Sequence, residues 1–338
     1  MPDPVHPQLS ASPHGGPGGQ WFEGLDFSVN TNPYGPNPAL LSAVRNADHA
    51  HYPDPKYGAL RERLGRWHGV EAECVVPAVG ASELLHRLVR AYLRPADRVM
   101  SVLAPFGEFG RAVKLAGGHL EVVQPPQAAG VVRPGVKLVY LGHPHNPSGH
   151  QFQSGDLAAL ERACERADAL LVVDMAYAPF LSLPTPIPSS HTVLLHSPGK
   201  AHGLVGARPA YALAAPTVAA TLQNLAPAWA LPAGTAALLE RLPDAQDFLR
   251  ETLPKVTHHA ATLAAELARH FEVEHHGTPY LTVRVGDASR AEARLLERGL
   301  KVRDCASYGQ PEWIRVSARL PDENARLIRA LEEVQGGR

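Results

Sequence analysis

Ser197-Pro-Gly-Lys200-Ala-His-Gly-Leu-Val-Gly-Ala-Arg208 is the stretch whose reading decides the fold. An apolar run, Val193-Leu194-Leu195, precedes it, and a second, Ala210-Tyr-Ala-Leu-Ala214, follows it. Both read as buried strands. Between them lie a hydroxyl, a lysine, three glycines and an arginine. The chain holds six lysines, and Lys200 alone sits on a Gly-rich connection between apolar strands. A lysine there can be desolvated, which favours the free amine and Schiff-base chemistry. By itself the segment fits a solvated loop lysine equally well.

Composition bounds the alternatives. The 338 residues allow two modest domains or one large domain with a satellite. Apolar residues make up 45% and charged residues 19%, enough for a substantial core, and the net charge of −1 offers no footprint for nucleic acid or an anionic membrane. No run is long and apolar enough to span a bilayer. The first residues lack a signal-peptide pattern, so a cytoplasmic protein is expected. Cys74, Cys164 and Cys305 are too scattered for a disulfide framework or a metal knuckle. The adjacent pairs His258-His259 and His275-His276 cannot both face one ligand, so no metal is expected.

Outward from the opening stretch, a strand–helix rhythm runs from residue 74. Strands are expected at 74–77, 98–103, 136–141, 169–173, 193–195 and 210–214, and helices at 84–93, 107–115 and 156–166. Apolar strands alternating with helices predict an α/β fold, a mostly parallel sheet sandwiched by helices. Two helices are expected earlier, at 38–47 and 57–68. After 216 come helices at 217–225, 233–241 and 256–270. Short strands then follow near 271–275, 280–285, 302 and 314–316, with helices at 290–298 and from 322, a smaller α+β domain. The expected division is a flexible arm over 1–20, a segment over 21–50 joining the small domain, a large domain over 51–225, and a linking helix with the small domain over 226–338.

In parallel sheets ligands sit outside the carboxyl ends of the strands. Gly80, Phe106, Asn146, Asp174, Ser197 and Lys200 all fall there. A pyridoxal phosphate site needs a lysine, a carboxylate to keep the pyridine nitrogen protonated, donors to the phenolic oxygen, an anion cradle and a flat side chain over the ring. Asp174 ends an apolar strand, where a lone carboxylate is costly; it could also be a helix N-cap. Tyr177 could reach the phenolic oxygen or simply pack. Asn146, in His143-Pro-His-Asn-Pro-Ser-Gly149, could do the same or be a turn residue. Gly80-Ala81-Ser82 opens a helix and offers its amides, as any strand-to-helix turn does. Phe106 could cover the ring or belong to the core.

Taken together, Asn146-Pro-Ser-Gly149, Asp174-Met-Ala-Tyr177 and Ser197-Pro-Gly-Lys200 with Gly206-Ala-Arg208 resemble the three hallmark segments of the fold-type I pyridoxal phosphate enzymes, in the class I/II aminotransferase group. The resemblance covers about residues 14 to 335. It implies that Lys200 forms the Schiff base and Asp174 pairs with the pyridine nitrogen. Asn146 and Tyr177 would hold the phenolic oxygen. Ser197, Arg208 and the Ala81 and Ser82 amides would hold the phosphate, and Phe106 would stack. Asn32-Pro-Tyr-Gly-Pro36 and Tyr52-Pro-Asp-Pro55 are similar to histidinol-phosphate aminotransferases and to threonine-phosphate decarboxylases. His14-Gly-Gly16, Phe106-Gly-Glu-Phe-Gly-Arg111 and Arg303-Asp-Cys-Ala-Ser-Tyr308 resemble the decarboxylases more.

The expectation is therefore decarboxylation of O-phospho-threonine in cobalamin synthesis, with transamination of histidinol phosphate in histidine synthesis as the alternative. The resemblance also implies a homodimer in which Tyr52 reaches the neighbouring subunit's cofactor phosphate. Arg315 would bind the substrate carboxylate, and Arg303, with His14 and Asn32, the substrate's other groups. Arg319 is a third cation that would help fix the substrate's anions. Met175, Gly199, His202 and Pro209 depart from the family pattern, with Gly199 standing where a hydroxyl is usual and Pro209 where a glycine is usual.

Overall fold

The computed structural model describes residues 7–12, 15 and 22–336. His14 lies outside them. Strands are β1 (Leu25–Asp26), β2 (Val75–Val79), β3 (Arg98–Val102), β4 (His119–Val123), β5 (Val136–Gly142), β6 (Leu170–Asp174), β7 (Thr192–His196), β8 (Pro209–Leu213), β9 (Val273–Glu274), β10 (Tyr280–Arg284), β11 (Leu300–Lys301), β12 (Arg303–Asp304) and β13 (Trp313–Ser317). Helices are α1 (Pro38–Arg45), α2 (Gly58–His68), α3 (Ala81–Tyr92), α4 (Gly107–Leu115), α5 (Pro125–Val131), α6 (Ser154–Ala167), α7 (Pro216–Asn224), α8 (Ala233–Arg241), α9 (Gln246–Leu267), α10 (Ala288–Leu296) and α11 (Pro321–Gly336).

The large sheet has the order β2-β8-β7-β6-β5-β3-β4. Its strands are parallel except β8, which runs antiparallel to both β2 and β7. Strands β5, β6 and β7 are almost wholly buried, because helices cover both faces. One face packs on Leu84, Leu85 and Leu88 of α3, Phe109 of α4 and Leu222 of α7. The other packs on Leu60 and Leu64 of α2, Leu160 of α6 and Leu238 and Leu239 of α8. The mostly parallel sandwich is as expected. The reversed β8 was not legible, since an apolar run carries no direction.

Strand β4 and helix α5 went unread in the sequence. β4 is an edge strand paired only with β3 and largely exposed, so its pattern lacks the apolar density of a core strand. The long helix starts at Gln246 rather than 256, with Pro254 inside it. Proline normally ends a helix; here Leu249 and Leu253 pack around Tyr280 and Val256, while Ala260, Leu263 and Leu267 enter the small-domain core. This burial holds the helix through the proline.

The small domain carries the antiparallel sheet β12-β13-β10-β9 and the parallel pair β1-β11. Phe27 shares its core with Leu281, Ile314 and Leu327. However, Leu40 of α1, and Leu231, Leu238 and Leu242, lie in the core of the large sheet. Residues 38–45 and 231–245 therefore pack with the large domain, where the sequence reading put them on the other side of the boundaries at 50 and 226. Among the described residues no helix is long and apolar enough to cross a membrane.

Candidate active site

The carboxyl ends of β2, β3, β5, β6 and β7 open into one cleft. Gly80, Ala81, Ser82, Phe106, Asn146, Asp174, Tyr177, Ser197, Lys200 and Arg208 all line it. These ten candidates come from six separate segments of chain, and the fold brings them together.

Lys200 sits on the turn after β7, its main-chain N–H donating to Ser197 O at 3.2 Å. Its ammonium lies 5.9 Å from the centre of the Tyr177 ring. Asp174, the last residue of β6, faces the same space. Burial pushes its carboxyl up from the usual carboxylate range; the Ala176 N–H, the Tyr140 hydroxyl and the Lys200 charge oppose that rise. Oδ1 accepts the Ala176 N–H at 3.0 Å and Oδ2 the Tyr140 O–H at 2.9 Å. A carboxylate buried this way needs a cation opposite it to stay ionised.

Gly80 sits at φ +83° just before α3, a conformation that costs glycine little. A Cβ here would lie 2.3 Å from Nη2 of Arg208. The missing side chain is what lets the guanidinium lie against the first turn of α3. Backbone N–H groups at a helix start, a guanidinium and the Ser82 and Ser197 hydroxyls are groups that could hold a phosphate dianion. Gly199 fits the same logic: its Cβ would meet the Leu204 carbonyl at 3.0 Å and Pro209 ring carbons at 3.2 Å. The two departures at 199 and 209 thus adjoin one space, where a side chain on residue 199 would be tight against the Leu204 carbonyl and the Pro209 ring.

Asn146 connects the cleft to the small domain. Its Oδ1 accepts from Nη1 of Arg315 at 2.6 Å, while Nη2 of Arg315 donates to the Ser28 carbonyl. Arg315 and Arg303 are paired across β13 and β12, and both are buried. Arg303 donates to the Ser307 hydroxyl at 2.7 Å and lies over the Tyr308 ring. Neither guanidinium lines the cleft itself; Arg315 meets it through Asn146. Nε of Arg315 and both amide atoms of Asn30 are buried without a protein partner among the described residues. Buried polar groups left so are what a site leaves for the polar atoms of a ligand. Asn30 was not singled out in the sequence.

Two expectations change. Asn32, expected on the substrate, is buried and donates to the Ala201 carbonyl at 2.9 Å and the Thr252 hydroxyl at 2.8 Å. Its backbone N–H reaches the Lys200 carbonyl. It braces the Lys200 turn from behind and does not line the cleft. Arg319 is held by both carboxylate oxygens of Glu323 and by the Asp26 carbonyl, a structural pairing within the small domain. Tyr52 does not line the cleft of its own chain: it is 79% exposed and packs on Trp229, ring centres 4.6 Å apart. Met175 and His202 have packing roles. Met175 enters the core under β6, and His202 is buried between Asn37 and Phe248.

Tyr140 also lines the cleft and was missed. The available signal was a hydroxyl in the middle of the apolar run Leu138–Leu141, which needs a buried partner. No group of three or more His, Cys, Asp or Glu arranged to hold a metal occurs among the described residues.

Comparison with known proteins identifies the family. The family model described as aminotransferase class I and II matches residues 23–331. A histidinol-phosphate aminotransferase of Symbiobacterium thermophilum is 31% identical, over 92% of this chain and 91% of its own. The solved histidinol-phosphate aminotransferase of Sinorhizobium meliloti, in complex with pyridoxal-5'-phosphate, superposes with a TM-score of 0.81 at 27% identity, covering 91% of this chain and 90% of its own. The L-threonine-O-3-phosphate decarboxylase of Porphyromonas gingivalis gives a TM-score of 0.83 at 20% identity, covering 91% and 98%, a likeness of fold alone. With the family matched over nearly its whole length and the residues such chemistry requires gathered in one cleft, this chain belongs to the class I and II aminotransferases, the fold-type I pyridoxal phosphate enzymes.

Proposed function

We propose that this chain is a pyridoxal-phosphate-dependent transaminase acting on a phosphorylated amine of the histidinol-phosphate type. The observation that carries the reading is the joint placement of Lys200, Asp174, Asn146, Tyr177 and the Gly80–Arg208 cradle in one cleft, with Arg315 bonded to Asn146 at its edge. The relatives named above favour transamination over the decarboxylation expected from the motifs.

Bound there, the cofactor would supply an electron sink for the pair released at the substrate α-carbon. The chain's residues do the rest. Arg208, Ser197 and the Ala81 and Ser82 amides hold the phosphate. Asp174 keeps the pyridine nitrogen protonated, and Asn146 and Tyr177 hold the phenolic oxygen. Phe106 covers the ring. Lys200 would hold the cofactor and would move the substrate α-proton as general base and acid. Arg315 offers a fork for a carboxylate of the 2-oxoglutarate or glutamate co-substrate, and Arg303 beside it on the sheet a cation for a substrate phosphate. Tyr52, exposed on the surface beside Trp229, supports a homodimer in which it completes the neighbouring subunit's phosphate site.

The test follows turnover of histidinol phosphate with 2-oxoglutarate against turnover of O-phospho-threonine alone. Glutamate formation with the first pair supports the proposal. Carbon dioxide release from the second without a keto acid refutes it in favour of decarboxylation. Tyr52→Phe should weaken cofactor binding only in the dimer; an unchanged dissociation constant would remove Tyr52 from the site.

A further inference from the structure

Tyr140 is the one polar residue on the buried stretch of β5 from Leu138 to Leu141. Its ring stacks on Phe109 of α4, centres 4.6 Å apart and planes 20° apart. A phenylalanine would fill that slot and bury no hydroxyl, so packing alone does not call for tyrosine. The hydroxyl is placed by register: Gly142 lies opposite Asp174 across β5 and β6, and Tyr140, two residues back on the same face, reaches up to Asp174 Oδ2 at 2.9 Å. The oxygen also accepts a hydrogen bond from the backbone at Phe106, which covers the cleft. With Ala176 N–H on Oδ1 and Tyr140 on Oδ2, each carboxylate oxygen has one protein donor, which fixes the plane of the carboxylate and leaves the remaining lone pairs to the cleft.

We propose that Tyr140 is a positioning residue of the cofactor site: its hydroxyl holds Asp174 as an oriented carboxylate and ties it to the Phe106 main chain above the ring. The inference rests on the cofactor reading given above. Asp174 and Tyr140 are otherwise faced by Lys200 after β7, Tyr280 on β10 and Tyr308 before β13. None of these donates a hydrogen bond to the carboxylate among the described residues, so Tyr140 is its one side-chain donor. Burial pushes the carboxyl towards its neutral form, and the hydroxyl opposes this. Without the hydroxyl Asp174 takes up a proton at higher pH and can no longer meet a protonated nitrogen.

The experiment measures pyridoxal phosphate dissociation constants by fluorescence quenching from pH 5 to 9. It uses the wild type, Tyr140→Phe, Asp174→Asn and the double variant. Tyr140→Phe should bind about tenfold more weakly, the size of a lost hydrogen bond to a charged group, and its affinity should fall off on the acid side at higher pH. In the Asp174→Asn background the Tyr140 change should alter binding less than twofold, because its target is gone. An unshifted pH profile overturns the proposal, and so does an equal loss in the Asp174→Asn background. Should Tyr140→Phe not fold, difluorotyrosine at position 140, a stronger donor, should move the acid limb to lower pH; no movement overturns the proposal. Failure of the wild type to bind the cofactor would sink the functional reading itself, whereas equal binding by all variants sinks only the role of Tyr140.

Discussion

Gly80→Ala tests whether the cradle at the start of α3 works as described. The new Cβ would stand 2.3 Å from Nη2 of Arg208, so one of the two must move. The obstructing atom is the far end of a flexible side chain, and the guanidinium yields before the backbone does. Two costs follow and can be read separately. The backbone at φ +83° is strained for any residue with a Cβ, which should lower stability by about 1–3 kcal/mol. Displacing the guanidinium removes charge-assisted bonds to the phosphate, worth about 1.5–3 kcal/mol. At about 1.4 kcal/mol per decade, the dissociation constant of pyridoxal phosphate should rise roughly 10- to 150-fold. Equilibrium dialysis with absorbance of the bound cofactor measures the second cost, and thermal unfolding of the cofactor-free protein the first. In an Arg208→Ala background the alanine at position 80 should lower stability as before but add little to the loss of affinity. Wild-type affinity in Gly80→Ala, or an undiminished further loss when Arg208 is already gone, would refute the cradle.

Three further perturbations follow from the same structure. Gly199→Ser should weaken cofactor binding, because its Cβ meets the Pro209 ring; Gly199→Ser with Pro209→Gly should bind about fivefold tighter than Gly199→Ser alone, measured by the same dialysis. Asn32→Ala should lower the melting temperature by removing its bonds to Ala201 and Thr252, at a cost of about 1–3 kcal/mol, with little change in substrate KM. A raised KM at unchanged stability would return Asn32 to the substrate. The third concerns His196, which burial holds down at about 3. Its folded value lies below the unfolded one near 6.5, so the stability it contributes is present above pH 6.5 and lost as pH falls from there towards 3. By pH 5 the loss is about 2 kcal/mol. His196→Phe, which keeps the stack on Tyr211, should flatten the fall in stability between pH 8 and pH 5 by that amount, as denaturant titrations at the two pH values would show; an unflattened profile would show that His196 does not titrate as a buried neutral imidazole.

The sequence by itself determined the alternation of strands and helices from residue 74, because buried parallel strands must be continuous apolar runs. It also placed Gly80, Asn146, Asp174, Ser197 and Lys200 at strand ends, since costly charges and helix-breaking glycines stand out against such runs. It could not give direction or partnership. Nothing local distinguishes the reversed β8 from its neighbours, and nothing in Asn32 says whether its amide faces a ligand or the back of the Lys200 turn. The helix through Pro254 formed because burial on two domains offset a local penalty, a balance no window of sequence contains. Nor could the pairing of Tyr140 with Asp174, of Gly80 with Arg208, or of Gly199 with Pro209 be read from spacing. Each is a contact of a few ångströms between residues far apart in the chain, and only sheet order and register bring them together. Lys200 was visible as an unusual lysine, but the tertiary structure alone surrounded it with the carboxylate, the cradle and the ring-covering side chain that give it a reaction to serve.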